Sequence, residues 1–215
     1  MDQLIKKCIS ATKKKLGINP SPKNLVHAIS SLEENTDLIT RQQIATECIN
    51  FACKKGCAHC CNLRVEVLPP EAFYIASYIK ALPDSQRQVH LKKLATHTVY
   101  SKGRTFVNYN KPCPFLSENN TCSIYSVRPH KCRSNLSKSE ESCKLNRDPE
   151  ENYALKVAHN QLALETINLY KNKNCIMHPT ELGLGVLAAL NDENLEANWH
   201  KGEQVFALLP ENIRL

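Results

Sequence analysis

The stretch Cys53-Lys-Lys-Gly-Cys57-Ala-His-Cys60-Cys61 places four cysteines in nine residues, a density that core packing does not require. If the stretch is helical, positions 53, 57, 60 and 61 project onto one face, since residues three and four apart are neighbours. If Gly56 breaks the helix, Cys57 and Cys60 form a two-residue-spaced knuckle, suited to a tetrahedral ion or an iron–sulfur corner. Either way several thiols converge. Converging thiolates repel one another, and a cation relieves that repulsion.

A second group lies some fifty residues on: Cys113-Pro-Phe-Leu, Cys122-Ser-Ile-Tyr, Arg128-Pro-His-Lys-Cys132-Arg133 and Cys143. Two cysteine groups divided by an insertion with helical periodicity read as one site assembled from distant segments. The candidate metal ligands are Cys53, Cys57, Cys60, Cys61, Cys113, Cys122, Cys132 and Cys143. Eight thiols satisfy two tetrahedral ions, or one four-cysteine iron–sulfur cluster with four thiols to spare. Adjacent Cys60 and Cys61 diverge in an extended chain and lie about 100° apart on a helix. They therefore fit two metals, or one ligand and one free thiol, better than a single ion.

His59 and His130 flank ligand candidates, but the cysteines alone suffice, so both are read as neighbours of the site. Lys54, Lys55, Arg128, Lys131 and Arg133 surround it. They would offset thiolate charge and lower thiol pKa values, or they form a solvated basic face.

The remaining three of the eleven cysteines read differently. Cys8 and Cys48 fall on apolar helical faces, and Cys175 lies outside the motif. An odd count without a signal-peptide pattern argues against a disulfide framework. No apolar run approaches the length needed to cross a bilayer, so the expectation is a cytoplasmic protein without a membrane partner. The formal charge of +7 is compatible with an anionic partner such as nucleic acid, but no Lys/Arg block supports one.

Periodicity predicts helices over 2–16, over a segment opened by Ser21-Pro22 and carrying Leu25, Ile29 and Leu32, and over a segment with Ile44, Cys48 and Phe51 on one face. Further helices are expected at 69–82, 84–99 and 152–171. An apolar helix begins at Thr180-Glu181 and runs to Leu190, and a last one carries Leu195 and Trp199. Residues 100–150 show little periodicity, and weak strand candidates occur at Asn62–Leu68 and Ser123–Tyr125. The class is mainly α, with helices around an irregular cysteine-rich metal-binding centre. The expected organisation is an N-terminal helical extension (1–46), a cysteine-cluster metal-binding domain (47–148) and C-terminal helices on the same core (149–215).

The ordered cysteines resemble the CxxCxxCC family of zinc- or iron-chelating cysteine-cluster domains. The resemblance also rests on Val65-Glu-Val67, Pro70-Glu71-Ala72, Cys113-Pro-Phe-Leu, Cys122-Ser-Ile-Tyr, Arg128-Pro and Cys132-Arg133. It spans roughly residues 50–145 and, more weakly, the tail near Trp199. The family's eight cysteines match the eight candidate ligands. The short form of the motif has two residues between its first cysteines, whereas this chain has three, which loosens the role of Cys53. The resemblance implies zinc or iron. A flagellin lysine methylase with a similar cluster is associated with iron–sulfur chemistry, but Gly183-Leu-Gly185 sits in a helical pattern rather than after a strand, so methylation is not carried over.

Two functions are expected to compete. One is a zinc- or iron-binding, and by preference iron–sulfur, centre serving redox or group transfer on an unknown substrate. The other is a zinc-stapled module binding protein or nucleic acid without catalysis. A dithiol redox motif at Cys57-Ala-His-Cys60 ranks last, because a preceding strand and a βαβ setting are missing.

Overall fold

A computed structural model describes residues 1–54, 56–145 and 149–209, so Lys55, one of the basic residues expected near the site, lies outside the described residues. The chain is mainly α-helical. Helices α1 (Asp2–Leu16), α2 (Pro22–Ala28) and α3 (Ser30–Glu47) form its N-terminal part. In α1, Ile5, Cys8, Thr12 and Leu16 recur at helical spacing and are buried, while Lys13, Lys14 and Lys15 sit in the last turn, where cations favour the helix dipole. Ser21 caps α2, accepting from the Asn24 amide, with Pro22 at the first helical position as its fixed φ favours.

Three helices make a central frame: α4 (Pro69–Lys80), α5 (Asp84–Ser101) and α9 (Leu182–Asn191). α9 packs on both α4 and α5. It does so closely because it carries glycines. A Cβ at Gly185 would meet the Thr180 methyl at 2.5 Å, and one at Gly183 would collide with the His97 ring. The long α8 (Tyr153–Lys171) packs against α1 and α3, and α10 (Leu195–His200) closes the core with Trp199. Trp199 is fully buried, and its indole N–H donates to the Ile176 carbonyl at 2.7 Å, which removes the cost of burying a polar group.

The strands β1 (Glu66–Val67) and β2 (Thr180–Glu181) pair antiparallel, with Glu66 opposite Glu181 and Val67 opposite Thr180. Here the apolar helix expected from Thr180 starts later. Thr180 and Glu181 form the strand, and the Glu181 carboxylate caps α9 by accepting from the Leu184 amide at 2.9 Å. The same carboxylate accepts from Ser101 at 3.2 Å and lies 3.1 Å from His97 Nε2, tying β2 to α5 in a dry interior.

A second departure concerns Cys48. The helix expected to carry it ends at Glu47, and Cys48 adopts a left-handed φ of 52° as its cap. Cys48 is exposed, and Ile44 is too, so this thiol is not a core residue. Cys8 and Cys175 are buried.

Candidate metal centre

The segment 100–150 is largely turns and bends among its described residues, but it contains two five-residue helices, α6 (His130–Ser134) and α7 (Glu140–Lys144). These place cysteines. Pro129 starts α6, where the Cys132 amide donates to the Pro129 carbonyl. Ser139 caps α7 and so orients Cys143. Cys113 and Cys122 stand at the base of a tight loop. Leu116 bridges Cys122, Ser117 N donates to Thr121 O at 2.9 Å, and Asn120 takes a φ of 55° at the turn.

Among the described residues between Cys53 and Cys61 no α-helix forms. Gly56 has a φ of 87°, open only to residues that tolerate left-handed backbone, and it breaks the chain as the knuckle reading requires. The Cys57 amide donates to Lys54 O, and a 3-10 turn over His59–Asn62 presents Cys60 and Cys61. Cross-links then join the two cysteine groups. The Cys113 amide donates to Cys61 O at 2.7 Å, and the Ala52 amide donates to Ser137 O at 2.9 Å. The Cys53 thiol lies beside Ser137, accepting from its amide at 3.5 Å.

The thiols fall into two neighbouring sets. Cys53 feels the charge of Cys57, Cys60 and Cys143. Cys61 feels Cys113 and Cys132, and Cys132 feels Cys113 and Cys122. Cys60 belongs to both, because it also raises Cys113 and Cys132. Burial pushes most of these thiols up: Cys113 to about 12, Cys132 well above the ordinary thiol, Cys53 and Cys122 less. Cys60 moves the other way, to about 6. The hydrogen bond from Cys61 is the main cause, with Asn135 and the charge of Arg128 assisting; Cys61, its donor, is raised in turn.

The basic residues expected around the site divide. Arg128 lowers Cys60 and Cys122, and Arg133 lowers Cys122. Arg133 is chiefly a strut: it pairs with Asp37 at 2.5 Å and Glu33 at 3.6 Å and donates to the Ser126 and Arg128 carbonyls. Lys54 pairs with Glu140 at 3.2 Å, and that carboxyl is held at about 2, first by its hydrogen bond from Lys144 and then by Lys54. His59 lies 3.8 Å from Glu140. His130 turns away from the thiols, its Nδ1 2.8 Å from the Thr36 hydroxyl.

All eleven cysteines are free thiols. Among the described residues, no group of three or more His, Cys, Asp or Glu side chains stands close enough to hold a metal ion together. The thiols are gathered around two foci, but several of them are hydrogen-bonded to one another or to backbone. The donor set is nonetheless soft, anionic when ionised and partly buried, which is the chemistry that zinc and iron–sulfur groups take. Asn135, Ser137 and Glu140 touch the site and were not among the sequence candidates; no spacing signal marks them.

Cysteines drawn from well-separated segments are brought near one another on a helical frame. The model of the CxxCxxCC family, described as "Putative zinc- or iron-chelating domain", matches residues 52–150. No curated protein and no solved structure matches the chain. No described helix is long and apolar enough to cross a membrane.

Proposed function

We propose that Cys53, Cys57, Cys60, Cys61, Cys113, Cys122, Cys132 and Cys143 hold a centre of more than one metal ion, and that the metal is iron, as an iron–sulfur cluster in a cytoplasmic protein. The position of Cys60 carries this reading. Its thiol neighbours both sets, and its contiguity with Cys61 is awkward for one small ion. Such a centre supplies electron transfer or activation of a bound group. The chain's contribution is to gather the thiols, set the charge of Arg128 near Cys60, Cys122 and Cys132, and half-bury Cys113 and Cys132. Redox or group transfer is the activity class that follows. Residues 47–148 serve as the metal-binding part, flanked by the helical regions 1–46 and 149–215.

A zinc-stapled binding module for protein or nucleic acid is the second reading. It is favoured by the division itself: with Cys60 in the first set, each set has four thiols, enough to close a structural zinc tetrahedron. Anaerobic purification followed by iron, zinc and acid-labile sulfide quantification separates the two. Iron with sulfide is the expected result. Stoichiometric zinc without sulfide, in protein grown with ample iron, overturns the iron reading. In the same assay, serine at Cys57, Cys60, Cys113, Cys122 or Cys132 should lose metal, and serine at Cys8, Cys48 or Cys175 should not. Equal loss across both groups would refute the ligand set.

A further inference from the structure

Residues 85–117 carry Arg87, Lys92, Lys93, Lys102, Arg104 and Lys111 and not one aspartate or glutamate, in a chain whose whole net charge is +7. The span runs along α5 and through the loop that leads to Cys113. On α5, Val89, Lys92, Thr96 and Val99 recur at three- and four-residue spacing and are exposed, while His90, Leu94, His97 and Ser101 are buried on the inner side. Val99 is 84% exposed. In the loop, Phe106 is 44% exposed and Val107 97%.

Few of these cations are paired within the protein. Arg87 pairs with Asp84, and Lys93 reaches the Leu116 carbonyl at 3.4 Å. Among the described residues no carboxylate forms an ion pair with Lys92, Lys102, Arg104 or Lys111. The loop is nonetheless held in shape. Arg104 lies over the Tyr100 ring at 4.1 Å, its Nε–H donating to the Tyr100 carbonyl at 2.9 Å and one arm to the Asn108 carbonyl at 3.2 Å. Lys111 covers the same ring at 4.8 Å, and the Asn108 side chain accepts from the Thr105 amide at 2.7 Å. These contacts fold the loop onto the end of α5, next to Val99, and leave Val107 standing in water.

Unpaired cations beside protruding apolar side chains select a partner that is anionic and has an apolar layer. Nucleic acid would give the cations phosphates, but unpaired bases stack on open aromatic faces, and the Tyr100 ring is covered by Arg104 and Lys111. Side chains as exposed as Val99 and Val107 mark a convex edge rather than a groove for a peptide. An anionic bilayer meets both demands: its headgroups take the cations and its acyl boundary takes the apolar tips.

We propose that the outer face of α5 and the loop 102–111 form a peripheral binding surface for bilayers containing anionic phospholipid. Lys92, Lys102, Arg104 and Lys111 meet the headgroup phosphates, and Val99, Phe106 and Val107 reach the acyl boundary. The contact stays on the bilayer surface, since no described helix is long and apolar enough to cross it. This surface goes beyond the metal reading and stands without it.

Sedimentation of the full chain with vesicles tests the proposal. At about 0.1 M salt, vesicles of phosphatidylcholine mixed with phosphatidylserine should carry the protein down, and vesicles of phosphatidylcholine alone should not. Raising the salt to about 1 M, where the Debye length is about 3 Å, should weaken binding at least tenfold. Lys102→Gln should weaken it about fivefold, the loss of one cation near an anionic surface. Val99→Ser combined with Val107→Ser should weaken it about tenfold or more, because both tips lose their apolar burial. All three side chains are exposed, so the variants should melt as the wild type does. A short DNA duplex serves as the phosphate control. No sedimentation with the anionic vesicles, equal sedimentation with both compositions, or indifference to the paired valine change each overturns the proposal. So does tighter binding to the duplex that the valine change leaves intact, which would make this face a nucleic-acid surface.

Discussion

The frame of α4, α5 and α9 and the cysteine-bearing segment 102–145 are ordered by different means. In the frame, Ala72, Ile75, Ala76, Ile79, Leu94, Val186 and Ala189 are buried against one another, and long helices satisfy their own backbone. The cysteine segment buries few large apolar side chains, chiefly Phe115, Ile124 and Val127, and its described backbone is mostly turns. Its order comes from polar struts, such as Arg133 to Asp37 and the amide of Cys113 to Cys61, and from whatever its thiols bind. The difference teaches that the two regions answer to different insults: the frame to changes of volume, the segment to loss of charge partners or metal.

The largest effect should follow metal removal. A strong chelator is expected to lower the melting temperature by roughly 10 °C or more, because metal free energy becomes folding free energy. Hydrogen exchange should show protection lost across 102–145 and kept in α4 and α9. An unchanged melt with metal loss confirmed would break the comparison. Next comes Arg133→Met, which strips Glu33 and Asp37 of their partner and should cost about 3 kcal/mol by denaturant titration. A much smaller loss would mean that the strut does not hold the segment.

Gly183→Ala should cost about 1–3 kcal/mol through its clash with His97, while metal content stays at the wild-type level. Metal loss in that variant would show that the regions are not separable. The smallest effect concerns pH. Burial, seconded by Glu71, holds the Glu33 carboxyl at about 8 against an ordinary 4.5, Arg133 notwithstanding. A carboxyl raised on folding stabilises most below its unfolded value, and that contribution is lost as pH rises from 4.5 through 8. Glu33→Gln should flatten this decline, with a gain on the order of 1 kcal/mol at the alkaline end. Identical slopes for variant and wild type would place the titration elsewhere.

Much of the helical architecture was legible because helices announce themselves locally. Ser21-Pro22, Pro69-Pro70-Glu71 and the apolar spacing of α1 and α8 are signals within one or two turns. The β1–β2 ribbon was not legible as paired strands, since each strand has two residues and its partner lies far along the chain. Cys48 was misplaced because apolar spacing continued past the point where the backbone turns left-handed. The eight cysteines stood out by density alone, yet their division into two sets with Cys60 between them is tertiary.

The contacts of Arg133 and His130 with α3 bear on where this domain can be cut. The stretch that the family model matches, 52–150, ends short of α8 and starts after α3. Excised, it would leave Arg133 without Asp37 and Glu33, and His130 without Thr36. The matched stretch is therefore smaller than the unit of folding, and the neighbouring helices act as a built-in scaffold on which the cysteine segment depends.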